Sequence, residues 1–221
     1  MAKLGDRTTS AYGNDGSNME RWITADHHLA TPTSSSTRVG PSATPTRWTN
    51  PSWSGGTRWL PLPTVCSCSA TWSWERSTIH WACQRDYTAT KVLLAGNHDR
   101  CAVLHGRKAV GWDERYRREG GFAEIHQGAM RIDLDARHRK VLACHFPYKG
   151  DSTDILRYAA ERPVDTGEWL VHGHVHESWL QSGRQINVGI DAWGGRVANA
   201  DEVVALIEAG PKDLPRIEWS E

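Results

Sequence analysis

Four short polar clusters constrain this chain more than any other feature. They are Asp26-His27-His28, Gly96-Asn97-His98-Asp99, Cys144-His145-Phe146-Pro147 and Gly173-His174-Val175-His176, and each follows or ends a short apolar run. Apolar runs of that length read as buried strands, so each cluster is expected at a strand's carboxyl end. Open α/β sheets bind their ligands in the crevice outside those ends. A mixed set of Asp, Asn and His donors suits borderline divalent metals such as Mn, Fe, Zn or Ni. Side chains far apart in sequence are thereby expected to meet around metal, and the chemistry this points to is metal-assisted hydrolysis.

The stretches between the clusters suit a layered α/β architecture. Strands are expected over Arg21–Ala25, Lys91–Ala95, Trp169–Val171 and Gln185–Ile190. Met130–Leu134 and Lys140–Cys144 read as paired strands joined by a polar hairpin link. Gly111–Gly121 reads as a charged surface helix or loop. Asp154–Arg162 has helical spacing stopped by Pro163, and Asp201–Ala209 reads as an amphipathic helix stopped by Gly210-Pro211.

At 221 residues the chain suits one domain. Its formal net charge of zero gives no sign of a nucleic-acid or membrane surface. No apolar stretch approaches the ~18–20 residues of a membrane-spanning helix. Residues 1–20 are polar and lack the apolar middle of a signal peptide, so they are expected to form a disordered tail ahead of a domain over 21–221. An odd number of cysteines, five, with no zinc-knuckle spacing favours reduced thiols and a cytoplasmic setting. No protein partner is implied.

The order and spelling of the clusters resemble the calcineurin-like metallophosphoesterases, whose motifs run D-x-H, G-D, G-N-H-[DE], a lone His and G-H-x-H. Asp26-His27-His28 is similar to the first, Gly96–Asp99 to the third, His145 to the fourth and Gly173–His176 to the fifth. The resemblance spans roughly Arg21 to Glu208. It implies the layered α/β sandwich of that family and two divalent metal ions. Asp26, His28 and His176 would hold one ion, and Asn97, His145 and His174 the other. His98 would be the acid that protonates the leaving oxygen, with Asp99 orienting it. The implied activity is hydrolysis of a phosphomonoester or phosphodiester by metal-activated hydroxide, with nucleotide and nucleic-acid substrates among the candidates.

The second family motif is absent. Between His28 and His98 the only acidic residues are Glu75 and Asp86, and neither follows a glycine. In the family that carboxylate bridges the two metals. Two divalent ions ~4 Å apart repel by roughly 16 kcal/mol at an effective dielectric of ~20, which bridging anions must offset.

Composition changes abruptly in the same region. From Thr31 to Thr90, 22 of 60 residues are Ser or Thr and six of the chain's twelve Trp occur there, yet only two of its 26 acidic residues do. Disordered segments are depleted in Trp, and a structureless loop of this length is rare inside a domain. Reading GC-rich codons from each third base gives Gly-His-Pro at Leu29–Pro32, Asn-Ile-Ile-Glu at Pro32–Ser36, Asp-Glu-Met-Asp at Pro45–Thr49 and Gly-Asp-Leu at Ser69–Trp72. All four lie in one register. The segment over about 30–89 therefore reads as translated out of frame, with the frame resuming near Tyr87–Lys91, and as written it is expected to be irregular or misfolded. The alternative to an active enzyme is a catalytically impaired remnant, or pseudoenzyme, with residual metal binding.

Several residues near the motifs read as structural. His172 is expected to support its neighbours, His27 to point away from the metals, and Asp191 and Trp193 to close the site's edge. His80, His105, His126 and His138 read as surface residues, and Arg115, Arg117 and Arg118 as a solvated basic face.

Overall fold

The computed structural model describes residues 21–26, 90–135 and 140–218, and the backbone of 64–67. The expected tail over 1–20, together with His27, His28, Glu75, His80, Asp86 and His138, lies outside the described residues. In chain order the strands are β1 (Trp22–Ala25), β2 (Thr64–Ser67), β3 (Lys91–Leu94), β4 (Phe122–His126), β5 (Met130–Asp133), β6 (Lys140–Ala143), β7 (Leu170–His172), β8 (Gln181–Gly183), β9 (Gln185–Asn187), β10 (Ala198–Asn199) and β11 (Lys212–Leu214). Two α-helices accompany them, α1 (Trp112–Gly120) and α2 (Ala200–Glu208).

The fold is mixed α/β, with two sheets. One has the order β10-β1-β2-β3-β4 and the other β11-β8-β9-β7-β6-β5. β1 to β4 run parallel, and β10 pairs antiparallel at the edge. β3 is buried at every position, as a strand between two parallel neighbours should be: Val92, Leu93 and Leu94 are apolar, and the buried Lys91 ammonium donates to the Gly120 carbonyl. In the second sheet β6, β7 and β9 are parallel, and β5–β6 forms the expected antiparallel pair.

A shared core holds the sheets together. It takes Ile23, Ala25 and Leu94 from the first sheet, Ile132, Val141, Ala143, Val171 and Ile186 from the second, and Val203 from α2. Full burial of a Val, Leu or Ile side chain contributes about 1.5–3 kcal/mol. On the outer side of the first sheet, Tyr116 of α1 packs with Leu93 and Phe122. α2 begins in a capping box. Asn199 accepts from the Asp201 backbone N–H, and Glu202 reaches back to the Asn199 N–H.

Two expectations are corrected. The segment over about 30–89 is expected to be irregular or misfolded, but within it Thr64–Ser67 is a strand between β1 and β3. The row Thr-Val-Cys-Ser shows no strand periodicity, and pairing on both sides supplies what its pattern lacks. Asp154–Arg162 is not helical; it is a run of bends and turns. The Asp151 carboxylate accepts the backbone N–H groups of Ser152 and Arg157, and such local side-chain bonds compete with helix formation. Tyr158 also has a left-handed φ of 57°. Gly111–Gly121 resolves as α1, with a left-handed glycine at each end.

β1 stops before Asp26, β3 before Ala95 and Asn97, β6 before His145, and β7 before Gly173 and His174. Asp26, Asn97, His145 and His174 therefore gather at one end of the strands. There the Ala25 N–H donates to the Val188 carbonyl at 3.0 Å and ties the two sheets together. Among the described residues no helix is long and apolar enough to cross a membrane.

Candidate functional site

Two motif glycines make the approach of the strand ends feasible. A Cβ on Gly96 would lie 2.6 Å from the His145 ring, and one on Gly173 would lie 2.5 Å from Asp26 Oδ2. Only the missing side chain lets these four residues meet.

Asn97, His145 and His174 come together. His145 Nε2 lies 2.7 Å from Asn97 Oδ1, and His174 Nδ1 lies 3.1 Å from the same oxygen. All three are buried. Donors about 2.1 Å from one small cation and at right angles to each other are about 3 Å apart, and the two nitrogen–oxygen separations here are close to that. Among the described residues no group of three His, Cys, Asp or Glu side chains is gathered for a metal. The oxygen at this corner comes instead from an amide.

Asp26 is buried at the end of β1, and its Oδ2 accepts the His174 backbone N–H at 2.7 Å. His176 is half-buried, with Nδ1 3.6 Å from Asp191 Oδ2. His28, the third residue expected to join them, lies outside the described residues. His98 is exposed at the turn after β3. Asp99 is fully buried, accepting the Gly96 N–H at 2.8 Å and the Tyr116 hydroxyl at 3.3 Å, and so fixes the turn that presents Asn97 and His98.

The backbone is strained here. Four residues other than glycine have a left-handed φ among the described residues: Asp26, Tyr158, His174 and His176. Three are expected site residues, and the ring of the fourth lies 5.5 Å from His174. Such conformations cost about 1–3 kcal/mol each and persist where the surroundings over-determine them, as at ligand sites.

The environment keeps the inner imidazoles neutral. Burial, reinforced by His174 and His98, holds His145 well below the ordinary histidine range. Burial lowers His174 too, against the pull of Asp151, and pushes His172 down to about 3. Neutral imidazole is the form that binds metal. His176 is raised, chiefly by the Asp191 carboxylate 3.6 Å from its Nδ1.

The supporting residues divide into those expected and those missed. His172 packs its ring on Trp179 and its Nδ1 lies 2.6 Å from the Gly173 carbonyl. Trp193 is buried and donates from Nε1 to the Asn187 carbonyl at 2.7 Å. Asn187 was missed. Its side chain donates to the His176 and Trp179 carbonyls and accepts from the Gly189 N–H, clamping the loop that carries His174 and His176. Asp151 was missed as well, although its Oδ2 lies 3.2 Å from His174 Nε2. Burial opposes the ionisation of Asp151, but hydrogen bonds from Arg157 and His174 hold its carboxyl well below the usual range.

No family model matches the chain. The chain is similar to the gene 66 protein of Mycobacterium phage L5, with 46% identity over 134 residues, covering 55% of this chain and 61% of that protein. It is also similar to the gene 66 protein of Mycobacterium phage D29, with 37% identity over 122 residues, covering 53% of this chain and 60% of that protein. The chain thus spans about three fifths of the length of these curated relatives. Among solved structures it is similar to a protein of unknown function from Aquifex aeolicus, AQ665, at a TM-score of 0.41 and 20% identity, over 65% of this chain and 76% of that one.

Proposed function

We propose that the chain carries a metallophosphoesterase domain, of layered sandwich type, that hydrolyses a phosphomonoester or phosphodiester. The observation that carries this reading is the convergence of Asn97 Oδ1 with His145 Nε2 and His174 Nδ1. These three residues would hold one divalent cation. Asp26 and His176, with His28, would hold a second. Bound cations would supply Lewis acidity toward the phosphoryl oxygens and toward the attacking water. His98, exposed at the rim, donates a ring-nitrogen proton to the leaving oxygen. Asp99 holds the turn beneath it, and the buried inner imidazoles stay unprotonated and ready to bind.

A second reading, the impaired remnant, is favoured by the absence of a Gly-Asp pair between His28 and His98. β2 bears on the cause. With TCN codons for Ser67 and Ser69, the shifted register over Val65–Ser69 reads as four successive codons of the forms NTG, YTC, NTG and YTC. These encode only Leu, Met, Val or Phe, whichever bases fill the variable positions. The next three codons can spell Gly-Asp-Leu. An apolar run ending in a carboxylate suits a strand paired on both sides better than Thr-Val-Cys-Ser does. The chain as written therefore binds metal weakly, at the Asn97 corner, and the frame-restored chain is the competent enzyme.

The test is Mn-dependent hydrolysis of bis-p-nitrophenyl phosphate by the written chain, the frame-restored chain and a frame-restored Asn97→Ala variant. Activity in the restored chain that is lost in the variant supports the reading. Equal activity in the written and restored chains defeats the remnant, and no activity in any of them defeats the enzyme.

A further inference from the structure

An imidazole that binds metal through one nitrogen must carry its proton on the other. His174 has an oxygen near each: Asn97 Oδ1 is 3.1 Å from Nδ1, and Asp151 Oδ2 is 3.2 Å from Nε2. We propose that Asp151 is a positioning residue, which fixes His174 as the Nε2–H tautomer so that Nδ1 presents its lone pair to the cation site.

The loop around Asp151 is built to keep a buried carboxylate in place. The Asp151 side chain is 2% exposed. It accepts from Arg157 Nη2 at 2.7 Å, Arg162 Nη2 at 2.9 Å, the Ser152 backbone N–H at 2.8 Å and the Arg157 backbone N–H at 3.0 Å. Arg162, itself 5% exposed, also donates to the Pro147 and Gly150 carbonyls, so the guanidinium is locked into the loop. An ionised carboxylate only accepts, so the hydrogen between Asp151 and His174 belongs to Nε2. Nδ1 then faces the Asn97 oxygen as one acceptor facing another. A hydrogen bond does not satisfy that contact, and a cation coordinated by both atoms does. Phe146 and Tyr158 hold the plane of the ring, with centroids 5.0 and 5.5 Å away. Carboxylates that orient metal-binding histidines in this way typically change metal affinity ~10–100-fold when removed.

This role rests on the phosphoesterase reading only through the metal, so the test uses one readout that needs metal and one that does not. The first is Mn affinity by titration calorimetry, for the full chain, Asp151→Asn and Arg157→Gln. The second is the His174 tautomer in the metal-free protein, from long-range proton–nitrogen NMR. The expected result is Nε2–H in the unmodified chain, a shift toward the Nδ1–H form in D151N, and a ~10–100-fold loss of Mn affinity. R157Q keeps the carboxylate but loosens it, and should lose affinity by a few-fold. It also serves as the test if D151N does not fold. An Nδ1–H tautomer in the unmodified chain overturns the proposal. So does unchanged affinity in the variants while the unmodified chain binds Mn, and that outcome leaves the phosphoesterase reading intact. An unmodified chain that binds no Mn overturns this role together with the Asn97 cation site, and the phosphoesterase reading then stands or falls on the activity of the frame-restored chain.

Discussion

Gly173 and Asp26 are in contact closely enough to exclude a side chain. A Cβ at position 173 would sit 2.5 Å from Asp26 Oδ2 and 2.6 Å from the Ala25 Cβ. The carboxylate uses that closeness to accept the His174 N–H at 2.7 Å. β1 of one sheet and the loop after β7 of the other are joined at that point, and His174 is turned toward Asn97.

Gly173→Ala should therefore force the two sheets apart at this end. Overpacking of this kind costs about 1–3 kcal/mol. A urea titration should show the lower midpoint, and the variant should also bind Mn more weakly. A midpoint equal to that of the unmodified chain would mean the loop yields without cost.

Stability should fall on mild acidification. His145 and His172 have folded values pushed below the ordinary 6.5, His172 to about 3. Above pH 6.5 each is neutral whether folded or unfolded, and its contribution is fully present. Below pH 6.5 the unfolded chain takes up protons that the folded one refuses, and stability drops by about 1.4 kcal/mol per pH unit for each group. His176 is raised and works in the opposite direction, but it is half-exposed and alone. Asp151 is held low, so its contribution persists until the pH nears 3.8. Urea midpoints at pH 7.5 and 5.5 check this. A midpoint that rises on acidification contradicts it.

The coding DNA is expected to carry TCN codons at Ser67 and Ser69, and third bases that spell Gly-Asp-Leu across Ser69–Trp72 in the shifted register. Sequencing the gene decides the matter. Codons that cannot yield a Gly-Asp pair there would leave the written frame as the true one.

Much of the site was legible because it is local. A strand's apolar run and the polar residues at its end are neighbours in sequence, so Asp26, Asn97, His145 and His174 could be read as strand-end residues without knowing the fold. Asp151 could not. Its position depends on a loop folding back over His174, 23 residues away, and on two arginines whose role appears only once that loop closes. The same carboxylate broke the expected helix over Asp154–Arg162 by taking the backbone N–H of Arg157. β2 was illegible for a different reason. Its four residues have no strand pattern of their own and take their conformation from the strands on either side.

The phosphoesterase proposal requires Asn97, His145 and His174 to share a cation. Equilibrium dialysis against Mn, on the written chain and its Asn97→Ala and His145→Ala variants, measures this most directly. The expected result is one weakly held ion per written chain and none in either variant. Binding that survives both substitutions, or no binding in the unmodified chain, would contradict it.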